Sequence, residues 1–151
     1  MLVVNCLFRL GGACAIMSNH KDDIPKAKYV LTDTERTHLG REDDAYRCMG
    51  NGEDAQGIMG VFLRKNVVEV AGRSLKENVT RLAPRVLPWT ELIKCARDKS
   101  YVPDFKKAFE HFLLHTGGRG VIDELEKALG LTPELAAPSK DTLFRFGNTS
   151  A

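Results

Sequence analysis

Residues 109–118 read FEHFLLHTGG, two histidines four apart in an apolar run ahead of a glycine pair. The whole chain has 4 histidines, so placing two of them here invites three readings: a metal site, a pair that works on a carbonyl or a proton, or two core residues bonded to backbone carbonyls. On a helix, His111 and His115 would share one face at i, i+4, the geometry of the metalloprotease H-E-x-x-H motif. That motif needs glutamate directly after the first histidine. Here Phe112 follows, and no third ligand stands downstream, so no metal is expected. On a strand, Phe109, His111, Leu113 and His115 would point to one side. Thr116-Gly117 would then turn the chain into a helix starting just beyond His115. The C-terminal end of a strand beside a helix N-terminus is where open α/β folds put chemistry.

The tail TLFRFGNTS (142–150) repeats that order: strand, glycine, then Asn148 at the mouth of an expected helix. An asparagine there can be a cap, or it can aim an amide N–H at a substrate oxygen. His115 and Asn148 on two parallel strand ends would form a two-donor oxyanion hole. The alternative of two core histidines stays open at this point.

These residues need elements to hold them. Residues 2–8 and 13–18 are short apolar runs without helical period, expected as a buried strand pair bent at Gly11-Gly12. KYVLTDTERTHL (28–39) alternates as a strand does. Residues 40–57 are glycine-rich and acidic, a loop or hairpin tip, and GIMGVFL (57–63) is a further strand. From Asn66 the period changes. Val67, Val70, Ala71, Leu75, Val79 and Leu82 predict a helix over 66–83 that packs on a sheet and ends before Pro84 and Pro88. Residues 87–105 form an irregular or short helical connection. GGRGVIDELEKALGL predicts an amphipathic helix with Gly130 as its C-terminal glycine. The fold class is α/β.

Bulk properties narrow the function. The chain has 151 residues, 43% hydrophobic and 28% charged, with a formal charge of +2. Its basic residues are interleaved with acidic ones, so nucleic acid is not an expected partner. Cys6, Cys14, Cys48 and Cys95 form no C-x-x-C, which points to reduced thiols, with Cys6 and Cys14 as small apolar residues. The N-terminus lacks the charged start of a signal peptide, and Arg9 interrupts its apolar run. No stretch approaches the roughly 20 apolar residues of a membrane span.

The stretches MLVVNCLFRLGGACAIMSN, ERTHLGREDDAYRC, VLPWTE, YVPDFKKAFEHFLLHTGGRGVIDELEK and TLFRFGNTS together resemble the plant 3-ketoacyl-CoA synthases. These are condensing enzymes of very-long-chain fatty acid elongation in the thiolase superfamily. The likeness runs in order along essentially the whole chain. It implies a decarboxylative Claisen condensation of a long-chain acyl-CoA with malonyl-CoA, without cofactor or metal. A cysteine thiolate carries the acyl group, while a histidine and an asparagine hold the malonyl thioester carbonyl. By motif these are His115 and Asn148, with His38 and His111 in supporting roles. The family's G-x-x-C-S-A-G cysteine turn has no counterpart here, and Phe144 stands where some members carry a histidine. The resemblance therefore implies a partial thiolase-like fold, part of a layered αβαβα architecture. Residues 1–20 would end its first half, 21–100 connect, and 101–151 carry the second half, truncated. A homodimer at the cytosolic face of the endoplasmic reticulum membrane is implied for the intact enzyme. Asn78 and Asn148 head glycosylation-like triplets, but that location argues against their use.

Overall fold

The computed structural model describes residues 6–150. In chain order its elements are α1 (Asp43–Tyr46), β1 (Met49–Glu53), β2 (Met59–Leu63), α2 (Val67–Val86), α3 (Trp89–Arg97), α4 (Arg119–Ala128) and α5 (Pro133–Phe146), with 3-10 turns at Lys21–Lys26 and Phe105–Lys107. Helix and a small sheet mix, as the α/β reading expects. The sheet is a single antiparallel hairpin pairing Met49 with Leu63 and Glu53 with Met59. Asp54 closes its turn, its carboxylate accepting from the N–H groups of Gln56 (2.9 Å) and Ile58 (3.0 Å).

The helix expected over 66–83 is present and runs further, through Pro84 to Val86. Proline forfeits one backbone bond, yet Ala83 and Leu87 on either side are both buried against Phe105. Burying that apolar surface outweighs the lost bond. The partner of α2 is not a sheet. Val67 and Val70 pack with Leu39, Ala45 and Cys48, Val79 and Val86 pack with Phe109, Phe112 and Leu129 against a cluster of Ala83, Leu87 and Phe105, and Ala71 is exposed. Helix α4 contacts both α2 and α5. It ends as the sequence predicts: Gly130 takes φ +59°, its N–H donates to Lys127 O (3.2 Å), and Leu131 N–H donates to Glu126 O (2.9 Å). That bond pair is the Schellman motif, which favours glycine because a Cβ is strained there.

Four strand expectations fail. TLFRF belongs to α5, which starts at Thr132-Pro133 with proline at its first position. Its register is set upstream of the quoted tail, by buried Ala136 and Ser139, and half-buried Leu143 within the tail continues the same helical face. An Arg145–Asp141 ion pair (2.8 Å) spans the last turn. Residues 109–116 have no ladder partner among the described residues. Residues 13–18 and 28–39 are irregular, with Ile16 97% and Tyr29 91% exposed. Strands need neighbours to satisfy backbone groups, and among the described residues none lies beside these stretches. Residues 2–5 of the first expected strand lie outside the described residues. Cys6 and Cys14 are exposed, and Cys48 is the buried thiol. The chain as a whole exposes 12191 Å². A compact monomer of 16.8 kDa exposes about 7,700 Å².

Buried Leu39 and a set of ion pairs fix the irregular stretch before α1. Arg85 on α2 pairs with Asp33 and Glu35 at 2.7 Å each, Arg73 pairs with Glu42 (3.0 Å) and Asp44 (2.5 Å), and Asn78 donates to Glu35 O at 3.0 Å. The Arg85 guanidinium holds the Asp33 carboxyl below its usual range. Raising salt from about 0.01 to 1 M cuts the screening length from about 30 to 3 Å. Amide exchange in residues 29–42 should therefore speed up with salt while α4 and α5 stay protected. Hydrogen exchange read by mass spectrometry at the two salt levels checks this.

Candidate functional site

Asn148 follows α5 and is 3% exposed. Its backbone is gripped by residues 7–9: Asn148 N–H donates to Leu7 O (3.0 Å), and Arg9 N–H donates to Asn148 O (2.8 Å). Phe8 and Asn148 thus form a parallel bridge. The side chain is fixed at both ends. Ser150 N–H donates to Asn148 Oδ1 at 2.9 Å, and Nδ2 donates to Gly117 O at 3.3 Å. Since a backbone N–H needs an acceptor and a carbonyl needs a donor, the two contacts agree on which end of the amide is nitrogen. One hydrogen of Nδ2 is used; the second remains to be donated.

His115 reaches the same place from the other side of the sequence. Its ring lies over Gly117, where a Cβ would meet His115 Cδ2 at 3.0 Å and Nε2 at 3.1 Å. Burial alternates along 111–115, with Phe112 and Leu114 turned in and His111, Leu113 and His115 exposed. The period of two expected for a strand is present, and the histidines take its solvent side. Ser139 of α5 anchors this stretch: its buried Oγ accepts from Leu114 N–H at 2.9 Å. Gly118 then caps α4.

The structure therefore brings the Asn148 amide and the His115 ring to a shared peptide at Gly117, by a route other than paired strand ends. Asn148 leaves a helix, and His115 lies on an irregular stretch. The other two candidate histidines, His38 and His111, are not gathered in. His38 Nδ1 accepts from Gly40 N–H within its own turn (3.3 Å), and His111 is exposed. Neither hydrogen-bonds to His115 or Asn148 among the described residues. The sequence reading missed Ser139 and the 7–9 strap. The serine's signal was its place on the Ala136–Leu143 helical face, while the strap left none. No group of histidine, cysteine and acidic side chains suited to a metal ion occurs among the described residues, and no described helix is long and apolar enough to cross a membrane.

Comparison with known proteins matches residues 1–99 to the family described as FAE1/Type III polyketide synthase-like protein. The chain is 49% identical to 3-ketoacyl-CoA synthase 16 of Arabidopsis thaliana, over 100% of this chain and 33% of the relative. It is 49% identical to 3-ketoacyl-CoA synthase 11 of the same plant, over 99% of this chain and 32% of the relative. With Probable 3-ketoacyl-CoA synthase 20 of Oryza sativa subsp. japonica it shares 48% over 100% of its own length and 31% of the relative. The chain spans about a third of the length of these relatives. With two-thirds of its residues matched to the family and close relatives along its whole length, the chain belongs to the FAE1/type III polyketide synthase-like family.

Proposed function

We propose that this chain is the carbonyl-binding part of a very-long-chain 3-ketoacyl-CoA synthase, built on part of a thiolase-like fold. The observation that carries the reading is the Asn148 amide, fixed at both ends with one N–H unused among the described residues, and held at Gly117, the residue that the His115 ring overlies. In the proposed reaction the thioester oxygen of malonyl-CoA accepts hydrogen bonds from Asn148 Nδ2 and the His115 imidazole. The carboxylate leaves as carbon dioxide, and its bonding electrons flow onto the thioester as an enolate. Charge builds on the oxygen where those donors point, which is where preorganised donors lower a barrier most. The enolate carbon then attacks a long-chain acyl thioester carried on a cysteine, forming the new C–C bond as the acyl C–S bond breaks and the cysteine thiolate leaves. His38 and His111 play supporting parts. No cofactor or metal enters, and the intact synthase works as a thiolase-like homodimer at the cytosolic face of the endoplasmic reticulum.

Malonyl-CoA decarboxylation by the purified chain tests this, with carbon dioxide release as the readout. Asn148→Ala and His115→Ala should each slow it by about 10²-fold, the usual effect of removing one oxyanion donor. Equal rates for the variants and the parent would sink the assignment.

A second reading is favoured by the surface. Leu10, Ile16, Met17, Tyr29, Val30 and Leu31 are all exposed, and apolar exposure on this scale marks a surface that another polypeptide covers. On this reading the chain is non-catalytic and associates with intact synthases. Co-purification with such a synthase, together with no malonyl-CoA decarboxylation, would favour it.

A further inference from the structure

We propose that Gly147, with the Leu7–Gly11 strap laid across it, is the positioning device for the Asn148 amide; this rests on the reading of Asn148 as an oxyanion donor. Three stretches far apart in sequence meet here. Gly147 ends α5 at φ +69°, a conformation that side chains with a Cβ rarely adopt. The space where a Cβ would stand is taken: it would lie 2.5 Å from Arg9 Cγ and 3.3 Å from Leu7 O. Leu7 and Arg9 supply the two backbone bonds to Asn148. Further along the strap a Cβ on Gly11 would lie 2.5 Å from Thr149 Cγ2, whereas one on Gly12 would meet nothing. On the far side a Cβ on Gly118 would touch Leu7 Cδ2 at 3.5 Å, so the strap also borders the turn that carries Gly117.

The consequence is mechanical. The chain must reverse sharply at Gly147 for the strap to grip Asn148 from both its N–H and its carbonyl. Only with the backbone so gripped does Nδ2 fall on Gly117 O, at the glycine that the His115 ring overlies. A residue that pushes the strap away, or that opens the turn, swings the amide off the carbonyl it must meet. A misplacement of about 1 Å in such a group costs roughly 10²-fold in rate. Gly147 touches no reacting atom itself and acts through Asn148.

The test uses the full chain with two readouts: the side-chain amide resonances of Asn148 by nuclear magnetic resonance, and kcat and KM for malonyl-CoA decarboxylation. Gly147→Ala should shift or broaden the Asn148 amide pair and lower kcat by about 10²-fold with KM little changed. Gly11→Ala should act in the same direction through Thr149, and Gly12→Ala should leave the amide pair in place. A folded Gly147→Ala chain with unmoved Asn148 resonances overturns the proposal. If Gly147→Ala does not fold, the Gly11→Ala and Gly12→Ala pair decides: different amide shifts support the strap, and identical ones overturn it. Movement of the amide alongside equal rates for the parent and Asn148→Ala would leave the strap standing and remove the catalytic assignment.

Discussion

Incubated with a long-chain acyl-CoA and malonyl-CoA, the 151-residue chain should keep its unmodified mass and release no ketoacyl product two carbons longer. The condensation needs a covalent acyl carrier, and a thiolate serves only where a helix N-terminus or a cationic neighbour stabilises it in an open pocket. Cys48 is 5% exposed among Leu39, Ala45 and Val70, so acyl-CoA cannot reach it. Cys95 is half-buried within α3. Cys14 stands on the irregular stretch before the first 3-10 turn. Cys6 is the thiol to watch. It lines an open groove of about 580 Å³ with Arg9, Leu10, Phe144 and Arg145, but no small-residue turn presents it. Intact-mass spectrometry after acyl-CoA treatment decides the matter. A single acyl adduct mapped to one of these cysteines, formed together with elongated product, would show the chain to be a working synthase. The decarboxylation expected of His115 and Asn148 is a separate half-reaction, because it needs donors and no nucleophile. The two assays therefore fail independently.

Replacing Glu91 should damage the fold more than any other single polar substitution. Glu91 sits in the first turn of α3 with none of its surface exposed. Its carboxylate accepts from Lys107 Nζ (2.5 Å), Tyr101 Oη (2.6 Å), Lys94 Nζ (3.0 Å) and Asp104 N–H (3.1 Å). This one side chain ties α3 to the 101–107 loop, which leads into the stretch carrying His115. Glu91→Ala leaves the half-buried Tyr101 hydroxyl and Asp104 N–H without their acceptor, and it unties the solvent-exposed Lys94 and Lys107 ammonium groups from α3. The melting midpoint should fall by roughly 5 °C. Lys94→Met should cost far less, because Lys107, Tyr101 and Asp104 still neutralise and bond the carboxylate.

The same knot sets an acid limit. Lys107 first, then Tyr101, the Asp104 N–H and Lys94, hold the Glu91 carboxyl far below its ordinary range. A group whose pKa is lower in the folded state binds its proton more readily when unfolded. Its contribution is complete above the unfolded glutamate value, about 4.3, and drains away as pH falls below it. Thermal melts from pH 7 to pH 3 should therefore show a steep loss beginning near pH 5 in the parent chain, and a shallower one in Glu91→Gln. Parallel curves would show that Glu91 does not set the limit. In the opposite direction, Tyr101 is harder to ionise than a free phenol because its hydroxyl already donates to Glu91, so the knot holds through mildly alkaline pH.

Sequence alone determined a good deal here. The helix from Val67 was legible because its apolar residues recur at 3.6 spacing, and local backbone bonds satisfy such a helix wherever it lies. The α4 helix with its Gly130 end was legible for the same local reason; GIMGVFL was legible as a strand, but its partner Met49–Glu53 lies in the stretch expected as a loop or hairpin tip. His115 and Asn148 could be singled out by residue type and by their glycine neighbours. What tertiary structure decided was everything that depends on a partner. The apolar runs at 13–18 and 28–39 have strand character, yet strands exist only as pairs, and among the described residues nothing pairs with them. TLFRF reads as a strand ahead of a glycine but is helical, because Thr132-Pro133 upstream set the register that buries Ala136 and Ser139. Glu91 gave no signal as a hub, since its four donors come from residues 94, 101, 104 and 107 and converge only after the loop folds back. The meeting of Leu7, Gly117 and Asn148 is the extreme case. No local pattern encodes a contact across more than a hundred residues, and only the folded chain brings the Asn148 amide to the glycine that the His115 ring overlies.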